Sequence, residues 1–311
     1  MIPVKKISLD KAGQSRRKFI YNITTAVGTG MVLSSPLISK AAGFVKRNDQ
    51  YTVKQVIDLF MKQVPGAPFP NTVDTLKSGS PDTVISGIVT SMFATIDVIR
   101  KTIDLGANFI IVHEPTFYNH TDATDWLKDD DVYQYKIDLL NKHNIAVWRN
   151  HDTIHTLKPD GVTKGVLAQL EWQQYAGKDI PNILTFPQTT LKDLIAHAKD
   201  KLHIEKVRFV GDPDQQCTKV LFIPGAAGGT RQIGAIIKVK PDVLICGEIS
   251  EWETAEYVRD ARAKGDNISL VVLGHIASEE PGSEFMLQWL KENVPSIKAT
   301  HIYCGNSLSF M

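Results

Sequence analysis

Histidines and carboxylates meet three times in this 311-residue chain, each time directly after a run of apolar, strand-forming residues. Phe109-Ile110-Ile111-Val112 runs into His113-Glu114-Pro115, and Ile145-Ala146-Val147-Trp148 into Arg149-Asn150-His151-Asp152-Thr153-Ile154-His155. Leu270-Val271-Val272-Leu273 runs into Gly274-His275-Ile276-Ala277-Ser278-Glu279. Neutral imidazole and carboxylate together suit zinc, iron or manganese. Clusters meeting at one sheet edge could hold a pair of divalent ions and activate water between them. His275 and Glu279 are four apart, so both face one site if the chain after Gly274 turns helical. One strand-end histidine is more often a hydrogen-bonded structural residue. Three clusters at equivalent positions outweigh that reading, because gathered acids and imidazoles are costly to bury without a cation.

The elements that must position these residues alternate between strand-like and helix-like from Tyr51 onward, which is an α/β pattern. Strands are expected at 87–93, 109–112, 145–148, 207–210, 219–223, 242–246, 270–273 and 299–304. Helices are expected from Val53, at 96–105, 132–142, 162–175, 191–202, 231–239, 251–263 and 284–292. In parallel α/β sheets ligands gather beyond the carboxyl ends of strands, where the three clusters fall. The Pro-containing stretch around Pro181 and Pro187 is the best candidate boundary. The expectation is two interlinked α/β domains, 51–180 plus 270–311 and 188–269, with a metal site in the cleft between them.

With these residues the chain resembles the Nif-three-like dinuclear metal-centre family, often called type 2 GTP cyclohydrolase I. Gly106 to Phe117 is similar to its strand and His-His-Pro turn, and Asn150 to His155 sits where that family has His-Thr-x-x-Asp. Pro224-Gly225-Ala226-Ala227-Gly228-Gly229 resembles its Gly-rich turn, while 240–250 and Gly274 to Glu279 resemble its two C-terminal motifs. The resemblance implies two metals held by His113, Glu114, His155, His275 and Glu279, a hydrolytic, cyclohydrolase-like activity and a ring-shaped homohexamer. Glu114 replaces the family's second His and His155 its Asp, so the implied set keeps three imidazoles and two carboxylates. Glu251-Trp252-Glu253 replaces the histidines that follow the Gly-Glu-x-Ser motif in the family.

His151 and Asp152 either orient a ligand and transfer protons, with His151 as the catalytic candidate, or form a capped turn. Glu248 either faces the same cleft or caps the following helix. The turn at Gly225 reads as a tight strand-to-helix connection, and Asp129-Asp130-Asp131 as a solvated helix start. His120, His143, His197, His203 and His301 lack a carboxylate at metal spacing and read as surface or structural residues. Cys217, Cys246 and Cys304 read as small core residues.

Hydrophobic residues make up 43% and charged residues 22%, which excludes a polytopic membrane protein and a wholly disordered chain. Residues 1–42 carry seven basic groups and one acid. The remainder has 28 basic against 33 acidic groups, a surface sign that does not favour nucleic acid. Ser15-Arg16-Arg17-Lys18-Phe19-Ile20, followed by an uncharged run to Ser39 and the small residues around Ala41, resembles a twin-arginine export signal. That implies a periplasmic protein, membrane-anchored if the signal stays. The leading expectation is a metal-dependent hydrolase of a small molecule, and the alternative a non-catalytic metal-binding or metal-delivery protein.

Overall fold

Every segment expected to be a strand forms one, and two further edge strands complete a pair of five-stranded sheets. The computed structural model describes residues 50–309 and 311, so the export signal lies outside the described residues. In chain order the first part holds α1 (Val53–Met61), β1 (Leu76–Ser78), β2 (Ile88–Ser91), α2 (Ile96–Asp104) and β3 (Phe109–Val112). α3 (Asp131–Lys142), β4 (Ala146–Arg149), α4 (Asp152–Thr156) and α5 (Gly161–Gln169) follow. Next come β5 (Ile183–Thr190), α6 (Leu191–Leu202), β6 (Arg208–Val210), β7 (Gln216–Ile223) and α7 (Gly229–Val239). β8 (Val243–Cys246), α8 (Glu256–Ala263), β9 (Ser269–Val272), α9 (His275–Asn293) and β10 (Ala299–His301) close the chain.

The first sheet has the order β1-β4-β3-β2-β10, and all its pairs are parallel except β1 with β4. The second has the order β5-β7-β8-β9-β6, parallel in the middle and antiparallel at both edges. Helices cover both faces, which is why the central strands read as unbroken apolar runs rather than alternating ones. Ile88, Phe109, Ile111 and Trp148 pack with Phe60 of α1 and with Met286, Trp289 and Leu290 of α9. Their neighbours Val89, Ile110, Val112 and Val147 pack on the other face with Val98 and Ile99 of α2 and Leu140 of α3. The second sheet repeats this arrangement, Val220, Phe222 and Ile245 facing α5 and α6, and Leu221, Leu244 and Leu270 facing α7 and α8.

Among the departures from expectation, four have a traceable cause. The stretch read as a Pro-containing connection is strand β5, at a sheet edge. Pro187 falls where its register against β7 shifts, so the missing N–H disrupts no regular ladder. β1 has three residues, too few to show a period. α5 stops at Gln169, and Glu171 at φ 56° separates it from a 3-10 turn, Gln173–Tyr175. α9 starts at His275 rather than Glu284 and carries Pro281 inside it. A Cβ on Gly165 of α5 would lie 2.4 Å from the Pro281 carbonyl oxygen, so α5 meets α9 backbone to backbone at its weakest turn.

Candidate metal centre

The carboxyl ends of β3, β4 and β9 deliver the three clusters to one place. His113 and Glu114 follow β3 directly, His151 and His155 open and close the short helix α4, and His275 and Glu279 lie one turn apart on α9. Asp74 builds the α4 corner. Its Oδ1 accepts from the backbone N–H groups of His151 (2.8 Å) and Asp152 (3.0 Å), and its Oδ2 from that of Thr153 (2.6 Å).

His113 is buried, and its Nδ1 donates to the Asn150 carbonyl oxygen at 3.3 Å. A carbonyl only accepts, so the proton sits on Nδ1 and Nε2 is the atom turned to the site. Nε2 is 3.4 Å from Glu279 Oε2 yet has no aligned hydrogen bond, an orphaned buried nitrogen. Glu279 Oε2 also lies 2.9 Å from His275 Nε2, and Glu114 Oε1 lies 3.2 Å from the same nitrogen. Glu248 reaches His275 Nδ1 at 3.6 Å, so it faces this cluster. On the other side, the His151 ring stacks on His113 at 4.8 Å between centroids, and the His155 ring stands 5.0 Å from both. His155 Nδ1 contacts Asp160 Oδ2 at 2.7 Å, and His151 Nδ1 contacts Asp152 Oδ1 at 2.9 Å.

Two triads therefore offer convergent donor atoms: His113, His151 and His155, and His113, Glu114 and Glu279. These buried and half-buried His and Glu groups could hold a metal ion, and the orphaned His113 Nε2 fits that role, since an uncompensated nitrogen is otherwise costly to bury. His275 stands outside both triads but contacts Glu114 and Glu279 of the second. His151, read as a proton-transfer candidate, stands among the imidazole donors themselves.

Sequence reasoning gave no role to Asp74, Asp160 or Asp122, and none to the side chain of Arg149. Arg149 is fully buried, and its Nη2 donates to Glu114 Oε2 at 3.3 Å. Its Nε donates to the His113 carbonyl oxygen at 3.3 Å, and its Nη1 pairs with Asp122 at 3.4 Å. Asp122 in turn pairs with Lys77 at 3.1 Å and accepts the N–H groups of Thr116 and Phe117. Asp160, five residues after His155 and at the start of α5, carried a readable sequence signal, whereas Asp74 is 77 residues from His151 and carried none. Trp252 is exposed, and Glu253 lies against Gly229 where α7 begins. Two earlier readings change. His301 and Cys304 are not isolated, because His301 Nε2 lies 3.1 Å from Glu280 Oε1 and Cys304 Sγ lies 3.4 Å from Glu280 Oε2.

The cluster is strongly polarised. Burial alone would lower His275, but the oxygens of Glu114, Glu248 and Glu279 override it and raise the imidazolium to about 12. Burial opposes ionisation of Glu279, yet His113 and His275 hold its carboxyl well below the usual range. His151 moves the other way, lowered by burial and by the charge of His113. Without a cation His275 thus keeps its proton at neutral pH. A metal ligand must be neutral, so if His275 ligates a cation, uptake would expel that proton and affinity would strengthen as pH rises. Zinc titration calorimetry in buffers of different ionisation enthalpy is expected to show proton release. A binding enthalpy independent of buffer would contradict this.

Comparison with known proteins places this geometry in context. A model of the Duf34/NIF3 (NGG1p interacting factor 3) family matches residues 67–306. The chain is 26% identical over 227 residues to a Clostridium acetobutylicum protein named GTP cyclohydrolase 1 type 2 homolog, covering 70% of this chain and 80% of that one. It is 24% identical over 233 residues to a Clostridium perfringens protein of the same name, covering 71% and 84%. Among solved structures, a Staphylococcus aureus hypothetical protein shares the fold at TM-score 0.68 and 19% identity, over 85% of this chain and all of that one. A Bacillus cereus protein related to NIF3 does so at TM-score 0.67 and 16% identity, over 84% and 99%.

Proposed function

Because this chain belongs to the Duf34/NIF3 family and gathers imidazoles and carboxylates around an orphaned nitrogen, we propose that it is a metal-dependent hydrolase of a small molecule. The observation that carries this reading is His113 Nε2, buried and without a hydrogen-bond partner, 3.4 Å from Glu279. His113, Glu114, His155, His275 and Glu279 would hold two divalent ions, zinc, iron or manganese. Bound there, such ions supply Lewis acidity that lowers the pKa of water and polarises a carbonyl, imine or phosphoryl group.

The chain's own residues supply the rest. Asp152 fixes the His151 ring by contact at Nδ1, leaving Nε2 to accept a proton, and the lowered pKa keeps that imidazole in its neutral form. Arg149 holds Glu114 from behind, and Asp160 holds His155. Asp160 also lines a cleft of about 750 Å³ with Lys158, Lys164 and Asn182, which none of the proposed ligands lines, so Asp160 is the one residue that joins it to the centre. The relatives' name points to hydrolytic ring opening, so cyclic amides and nucleotides join esters and amides as substrates to try. Export by the twin-arginine route, two domains bordering the centre and hexameric assembly belong to the same proposal.

Elemental analysis of protein purified without chelator tests it, on the wild type beside His113→Ala/His275→Ala. The expected result is about two ions per wild-type chain and loss of those ions in the variant, with hydrolysis of at least one panel compound following the metal. A folded wild type without metal would end the enzyme reading. Metal bound with no turnover on any panel compound would favour metal storage or delivery.

A further inference from the structure

The cleft of about 750 Å³ that Asp160 borders carries charges for which the metal centre has no use. Lys158, Lys164 and Lys178 all line it, and all three are exposed. Among the described residues, none of these ammonium groups makes an ion pair or a hydrogen bond, and the Lys164 Nζ stands 5.2 Å from the centre of the Phe285 ring. Two carboxylates share the wall. Asp160 is already committed, since its Oδ2 contacts His155 Nδ1 at 2.7 Å and its Oδ1 accepts the Thr163 N–H at 2.8 Å. Asp179 is then the one uncommitted acid in a wall with three lysines, although residues 43–311 as a whole carry 28 basic against 33 acidic groups.

We propose that this cleft is a binding site, separate from the metal centre, for a small organic dianion with an apolar body, a phosphate ester or a dicarboxylate. A concave wall of one sign concentrates the field and raises the local concentration of counter-charged solutes. Leu157, Leu167, Ala176 and Pro181 supply apolar surface beneath the lysines, the mixture of apolar lining and few charged groups that marks small-molecule pockets of this size. Lysine acts as a mobile point charge with three donors, so it serves phosphate and carboxylate oxygens alike. The three lysines also sit on anchored backbone. Lys158 precedes the Asp160 cap, and Lys164 lies in the first turn of α5. The turn with Lys178 is fastened at its far end, where the Gly177 N–H donates to the Ile183 carbonyl oxygen at 2.9 Å and Asn182 Nδ2 to that of Phe222 at 2.9 Å. An entering anion therefore orders side chains and not loops, which keeps the cost of binding low. Neither a metal ion nor turnover is needed for this binding.

Titration calorimetry of the full chain with 1-naphthyl phosphate tests the site, with naphthalene-2,3-dicarboxylate as the carboxylate arm and 1-naphthol as the neutral control. The expected result is about one site per chain for at least one dianion, weakened as salt is raised, and no measurable binding of 1-naphthol. Lys158→Gln/Lys164→Gln/Lys178→Gln is expected to weaken binding about tenfold or more, and Asp179→Asn to strengthen it. All four side chains are exposed, so these variants keep the fold, which circular dichroism checks. His113→Ala/His275→Ala is expected to bind the dianion as tightly as the wild type. Binding of both dianions supports a general dianion site, and binding of one alone assigns it to that chemistry. No binding of either dianion would overturn the proposal. So would binding that survives the triple lysine variant but is lost in His113→Ala/His275→Ala, because the anion would then sit at the metal centre. None of these outcomes decides the hydrolase reading, which stands or falls on metal content and turnover.

Discussion

Replacing Arg149 with Met is expected to destabilise the metal-free protein by about 3–5 kcal/mol, the usual cost of stripping one partner from a buried ion pair. Arg149 has no solvent exposure, and Glu114 beside it is also buried. The guanidinium joins Glu114, Asp122 and the carbonyl oxygen of His113, so its loss leaves Glu114 to the His275 imidazole and Asp122 to Lys77 for counter-charge, and one carbonyl short of a donor. Met fills much of the same space, which separates the electrostatic loss from a cavity. Urea unfolding at neutral pH measures the effect. Adding Glu114→Gln to the Arg149→Met background is expected to recover part of the loss, because the orphaned charge is then removed. Unchanged stability in the single variant would show that Arg149 does not anchor the ligand.

Gly225→Ala is expected to weaken metal binding about 10–100-fold while costing only about 1 kcal/mol of stability through its backbone. A Cβ at this position would lie 2.2 Å from Glu279 Oε1 and 2.5 Å from its carboxyl carbon, so the carboxylate must move. Gly225 sits at φ 67°, which also strains any other residue. Gly228→Ala separates the two effects. It has φ 81° and no atom within 4 Å of its Cβ position, so it carries the strain without the collision. Zinc affinity by competition with a chromophoric chelator is the measurement. Equal loss in the two variants would show that displacement of Glu279 is not the cause.

Sequence reasoning reached most of the elements because their signals are local. The runs at 109–112, 243–246 and 270–272 are apolar throughout, as strands covered on both faces must be, and α6 is legible over its whole length, 191–202, from its period. Pro281 is the instructive failure. Local propensity puts a boundary there, but contact with α5 at Gly165 keeps one helix running from His275 to Asn293. Pro187 misled in the same way, because whether a strand lies at an edge is a property of the sheet and not of the strand.

The sequence by itself determined the donor types, their position after strand ends and the four-residue spacing of His275 and Glu279, since these follow from residue chemistry and the 3.6-residue period. Only the tertiary structure decided which donors converge and what charge surrounds them. Arg149 behind Glu114, Asp74 beneath α4 and Glu280 beside His301 and Cys304 join residues 21 to 79 positions apart. Such pairings leave no periodic trace in the chain, because they arise when separate elements pack and their buried charges must find partners across the gap.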